Sequence, residues 1–148
     1  MMIQKLISRL LVLGLLIILP HILQADPLDH WHWRNPLPQG NHLSGVAYGN
    51  NIFVAVGRNG TILTSPDGLA WTSRISGTSN DLYGITYGNN TFVAVGWNGT
   101  ILTSADGVKW TLRRTYHLLN GISYGKGTFV AVGESGTILT SNDNWVTW

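Results

Sequence analysis

The chain has 148 residues, 18 glycines, seven tryptophans and no cysteine, and only 11% of its residues are charged. That length admits one domain or a set of small repeats, and the absence of cysteine rules out disulfides, thiolate metal sites and a cysteine nucleophile. The formal charge is +2, but Lys5 and Arg9 lie within the first 25 residues; beyond them seven basic residues face seven acidic ones, too even a balance for a nucleic-acid partner.

Residues 1–25 read as a secretory signal peptide. Lys5 and Arg9 make a positive start, Leu10–Leu19 is an apolar run with one glycine, Pro20 ends it, and Ala25 puts a small residue before the cut. The run falls short of the roughly 20 apolar residues that span a bilayer, so cleavage near Ala25 is favoured over a retained anchor. The expectation is an exported protein: periplasmic, extracellular or at the cell surface.

Residues 26–42 form an N-terminal segment containing Trp31-His32-Trp33-Arg34. His30 and His32 would share one strand face beside Asp29, but no third ligand is evident. They read as polar edge-strand residues, and neither a metal nor a cofactor is expected.

From Leu43 onward the chain repeats itself. Leu43–Trp71 recurs 39 residues later as Leu82–Trp110, and again 37 residues after that from Leu119 to Trp148. A period near 40 with glycine and aromatic markers belongs to stacked repeats that bury their faces against one another. Each unit predicts four short strands. In the first unit these are Leu43–Tyr48, Ile52–Gly57, Thr61–Ser65 and a strand starting near Trp71. Gly49-Asn50-Asn51 and Asn59-Gly60 supply turn residues that tolerate positive φ. Phe53, Val54, Ala55 and Val56 are apolar on both strand faces, which predicts a strand buried between two sheets. Four antiparallel strands per unit describe an all-β protein of β-propeller blades. Blade 1 covers residues 43–81, blade 2 covers 82–118, and blade 3 covers 119–148 and lacks its fourth strand.

The end of each unit carries a resemblance. Ser65-Pro66-Asp67-Gly68-Leu69-Ala70-Trp71 and Ser104-Ala105-Asp106-Gly107-Val108-Lys109-Trp110 resemble shortened Asp-boxes. Ser141, Asp143, Thr147 and Trp148 keep the full Asp-box length, with Trp145 in place of the usual glycine. Residues 43–148 are therefore similar to the BNR or Asp-box propellers, a superfamily that includes sialidases, sortilin-type receptors and photosystem II assembly factors. The resemblance implies a propeller fold in which the Asp-box belongs to the blade rather than to chemistry. Asp67, Asp106 and Asp143 are expected to staple turns, and Trp71, Trp110 and Trp148 to fill the space between sheets.

Trp71-Thr72-Ser73-Arg74 and Trp110-Thr111-Leu112-Arg113 both open a fourth strand, and Trp31–Arg34 has the same spacing ahead of blade 1. This is the pattern of ring closure by strand exchange. Three blades do not readily close, since propellers have about four to eight. Two chains forming a six-bladed ring is one expectation; a piece of a longer array, or an open stack with exposed edges, is the other.

Function is expected where the copies differ. Arg58, Trp97 and Glu134 occupy equivalent places in the turns between second and third strands. The linkers also differ, the first being Ser73–Asp81 with Arg74 and Asp81, and the second Leu112–Leu118 with Arg113, Arg114, Tyr116 and His117. Arg58, Trp97, Glu134, Arg113, Arg114, Tyr116 and His117 are the candidate ligand-binding set for a protein or carbohydrate partner. The alternative is a fragment of a sialidase-like glycoside hydrolase, but no arginine motif of sialidases is present. Glu134 is the only glutamate, and three of the six aspartates belong to Asp-boxes, which leaves few carboxyl groups for the usual pair. The expectation is a non-catalytic binding or scaffolding module.

Overall fold

A computed structural model of the chain describes residues 40–142. The signal peptide, Asp29, His30, His32, the Trp31–Arg34 segment, Asp143 and Trp148 lie outside the described residues.

Every unit starts with a seven-residue strand that ends in glycine. A two-residue turn follows, and in blade 1 its residues Asn50 and Asn51 both have positive φ, 46° and 60°. Positive φ at both central positions matches the right-handed twist of the flanking strands and brings the chain straight back. The first sheet thus comprises β1 (Leu43–Gly49), β2 (Ile52–Gly57), β3 (Ile62–Ser65) and β4 (Thr72–Arg74), each antiparallel to its neighbour in the order β1-β2-β3-β4. The second sheet repeats the order with β5 (Leu82–Gly88), β6 (Thr91–Gly96), β7 (Thr100–Ser104) and β8 (Thr111–Arg114). β9 (Leu119–Gly125), β10 (Thr128–Gly133) and β11 (Ile138–Ser141) make the three described strands of the third.

Three boundaries of blade 1 differ from the sequence expectation by a residue, the first being β1, which runs on to Gly49. β3 begins at Ile62, after a single 3-10 turn over Arg58–Gly60 that the Thr61 amide closes by donating to the Arg58 carbonyl at 3.1 Å. β4 begins at Thr72, with Trp71 held by the preceding turn.

The sheets stack face to face. Val54, Val56 and Ile62 of blade 1 meet Leu82, Ile85, Phe92, Ala94 and Leu102 of blade 2, with Trp110 packed against them. One layer on, Val93, Val95 and Ile101 of blade 2 meet Leu119, Phe129 and Ala131 of blade 3. Alternation along β6 sends Phe92 and Ala94 one way and Val93 and Val95 the other, so the strand is buried on both faces, as its composition predicts. In each blade a tyrosine of the first strand lies tilted against a phenylalanine of the second: Tyr48 with Phe53, Tyr87 with Phe92 and Tyr124 with Phe129, at 4.5–4.7 Å between ring centres. Three successive blades of antiparallel strands packed in this way have the architecture of part of a β-propeller.

Candidate functional site

The connections of each sheet emerge at two ends, and the two ends do different work. At one end lies the turn between third and fourth strands. Asp67 Oδ1 accepts hydrogen bonds from the amides of Leu69 (2.8 Å) and Ala70 (3.2 Å), and from the Ser65 hydroxyl (3.1 Å). The Gly68 amide donates to Ser65 Oγ at 2.8 Å, and Trp71 Nε1 donates to the Gly68 carbonyl at 3.2 Å. Blade 2 repeats the arrangement, with Asp106 accepting from Val108 (2.8 Å), Lys109 (2.9 Å) and Ser104 (3.1 Å), and Trp110 Nε1 donating to Gly107 at 3.0 Å. The backbone amides of Leu69 and Ala70 hold the Asp67 carboxyl below the usual aspartate range, and those of Lys109 and Val108 do the same for Asp106. Both carboxylates are committed to their own turns. Ser141, the third-copy serine, is buried at the end of β11.

At the opposite end, Arg58, Trp97 and Glu134 each open a 3-10 turn in successive blades. The same backbone bond anchors all three. The amides of Arg58, Trp97 and Glu134 donate to the carbonyls of His42, Asp81 and Leu118, at 2.9, 2.8 and 3.2 Å. Beside each anchor, a polar residue just before the first strand clamps the threonine after the turn. Asn41 Nδ2 donates to Thr61 Oγ1 at 2.9 Å, and Asn80 Nδ2 to Thr100 Oγ1 at 2.8 Å. In blade 3, His117 Nδ1 lies 3.4 Å from Thr137 Oγ1. The backbone is thus repeated while the presented side chain changes from guanidinium to indole to carboxylate.

Of the three, Trp97 sits in a defined hollow. Ser79, Asn80, Asp81, Tyr83 and Trp97 line a cleft of about 420 Å³, with the indole 51% exposed. Asp81 forms one wall, where its Oδ1 accepts the Asn59 amide at 2.9 Å and so ties the blade 1 turn to the first linker. The lining does not include Arg58 or Glu134, both exposed on their own blades. In the second linker, Arg114, Tyr116 and His117 are exposed. Arg113 lies on β8 with its Nε buried and without a hydrogen-bond partner among the described residues, whereas the equivalent Arg74 Nε donates to Thr64 Oγ1 at 2.9 Å. The sequence singled out Trp97 and the Ser73–Asp81 linker separately, and did not place Ser79, Asn80 and Tyr83 beside the indole. One signal was available: Tyr83 stands where the other copies have Ser44 and Asn120.

The cleft can offer an aromatic face from Trp97, a phenol, an amide and a carboxylate, a mixed lining suited to binding. Among the described residues no group of three His, Cys, Asp or Glu side chains is placed to hold a metal ion. No helix of the described residues is long and apolar enough to cross a membrane.

No protein-family model matches the chain, and no curated protein matches it at a significant level. Solved structures do. YCF48 bound to D1 peptide superposes with a TM-score of 0.66 at 20% identity, over 76% of this chain and 41% of that one. YCF48 from Cyanidioschyzon merolae gives a TM-score of 0.66 at 21% identity, over 76% of this chain and 38% of that one. The likeness establishes the β-propeller fold. The chain spans about two-fifths of the length of these structures.

Proposed function

We propose that this protein is an exported, non-catalytic β-propeller module that binds a protein ligand through the cleft at Trp97. The observation that carries the reading is a half-exposed indole opening a 3-10 turn, placed beside Tyr83, Asp81 and Asn80. Exposed tryptophans flanked by polar groups dominate the affinity of many protein interfaces, because the ring removes much apolar area from water while its neighbours orient the ligand. That a similar propeller has been solved with a peptide bound supports a peptide or protein as the ligand class. The committed carboxylates of Asp67 and Asp106 weigh against a hydrolase.

Peptides enriched from a random display library on the immobilised protein provide the test. Trp97→Ala is expected to weaken an enriched peptide at least about tenfold, about 1.4 kcal/mol or more, with the β-sheet circular dichroism unchanged. Unaltered affinity would remove the cleft from consideration. Turnover of fluorogenic glycosides that disappears in Glu134→Gln would overturn the non-catalytic reading. For export, the protein recovered outside the cytoplasm is expected to begin at Asp26 by N-terminal sequencing.

A further inference from the structure

The two outer faces of the described stack match the two sides of a contact that the chain makes twice within it. Inside the stack, the glycine closing the first strand of one blade receives the tyrosine ring of the next. A Cβ on Gly49 would fall 2.1 Å from Cγ of Tyr87, and a Cβ on Gly88 would fall 2.1 Å from Cγ of Tyr124. Both glycines are buried. Among the described residues the series leaves one tyrosine and one glycine unmatched. Tyr48, at the blade 1 end, is 56% exposed. Gly125, at the blade 3 end, is exposed and has nothing within 4 Å of its Cβ position among the described residues.

The surrounding side chains follow the same rule. Val56 and Ile62 pack into blade 2, but their blade 3 counterparts Val132 and Ile138 are 46% and 68% exposed. Ile85 of blade 2 packs onto blade 1, but its counterpart Val46 is 62% exposed. Val46 lies with Leu43, Gly45, Ala55 and Trp71 around a mainly apolar groove of about 440 Å³. The corresponding place on blade 2, under Trp110, is filled by Val54, Val56 and Ile62 of blade 1.

We propose that a second copy of this chain packs head to tail on the first, its Tyr48 ring on Gly125 and its apolar groove over Val132 and Ile138. The occupant is another copy because the complementary surface for each open face is the one at the other end of the same chain, with strand sequences similar to those that pack between blades 1 and 2. Such a contact is heterologous, and two copies of the three described blades would close it into a ring of six, within the usual propeller range.

Sedimentation equilibrium of the full chain is expected to give twice the monomer mass. Val46→Asp and Gly125→Val change exposed positions at opposite ends, and each alone is expected to shift the association midpoint at least tenfold in concentration while circular dichroism stays the same. Mixing the two variants is expected to recover association in part, because one of the two contacts then joins two unaltered faces while the other carries both substitutions. A monomeric wild-type chain overturns the proposal. So does association that survives both substitutions, as an N-terminal apolar run alone would produce, or association lost in only one of them, as a face-to-face contact would produce.

Discussion

Asp67 and Asp106 show how much of a blade rests on a few polar atoms. Each carboxylate accepts two backbone amides that the turn would otherwise leave to water. The bonds favour the charged form, so each folded-state pKa lies below the unfolded value of about 3.9. The sign follows from linkage. The stabilisation is fully present above the unfolded pKa and is lost as pH falls through the lower folded values. Thermal melts from neutral to strongly acid solution are therefore expected to show a steeper loss of stability for the wild type than for an Asp67→Asn, Asp106→Asn double variant; parallel curves would contradict the role. Phe92 sets a larger scale, since its ring is fully buried between blades 1 and 2. Phe92→Ala is expected to cost about 3–5 kcal/mol in urea denaturation. Phe53→Ala, on the outer face of blade 1 and only half-buried, is expected to cost clearly less.

Strand pairs and turns were the most legible level. Asparagine and glycine recur where the chain takes positive φ, as at Asn59 and Gly60 (54° and 65°) and again at Asn98 and Gly99 (53° and 65°), so turn chemistry alone located the strand ends of blade 1 to within a residue. Packing between elements was less legible. Nothing in the one-dimensional pattern says that Gly88 must lack a side chain because the Tyr124 ring lies against it. Gly88→Ala is expected to destabilise the protein by about 1–3 kcal/mol through overpacking, whereas Gly125→Ala, at the same place in blade 3, is expected to be near neutral in dilute monomer. Equal effects in chemical denaturation would refute the glycine–tyrosine account. The candidate site divides in the same way. Trp97 was conspicuous because Arg58 and Glu134 replace it in otherwise matching turns, but Asn80 and Tyr83 join it only after the chain has folded two strands back.

Across the whole molecule, the order of blades is the order of the repeats, and the identity of the packed faces follows from strand alternation. Six consecutive residues decide how far that reading reaches. Thr91–Gly96 and Thr128–Gly133 have the same sequence, Thr-Phe-Val-Ala-Val-Gly. Composition, periodicity and turn residues therefore determine the same thing for both: a β-strand, entered from a tight turn and apolar on both faces. Yet Val93 and Val95 are fully buried, while Val130 and Val132 are partly open to solvent. By itself the sequence determined the strands, their turns and the blade they build, because those depend on bonds and contacts within about 40 residues. Only the tertiary structure decided which apolar faces are covered and which tyrosine lacks its glycine among the described residues, because burial belongs to whatever stands opposite a residue and not to the residue.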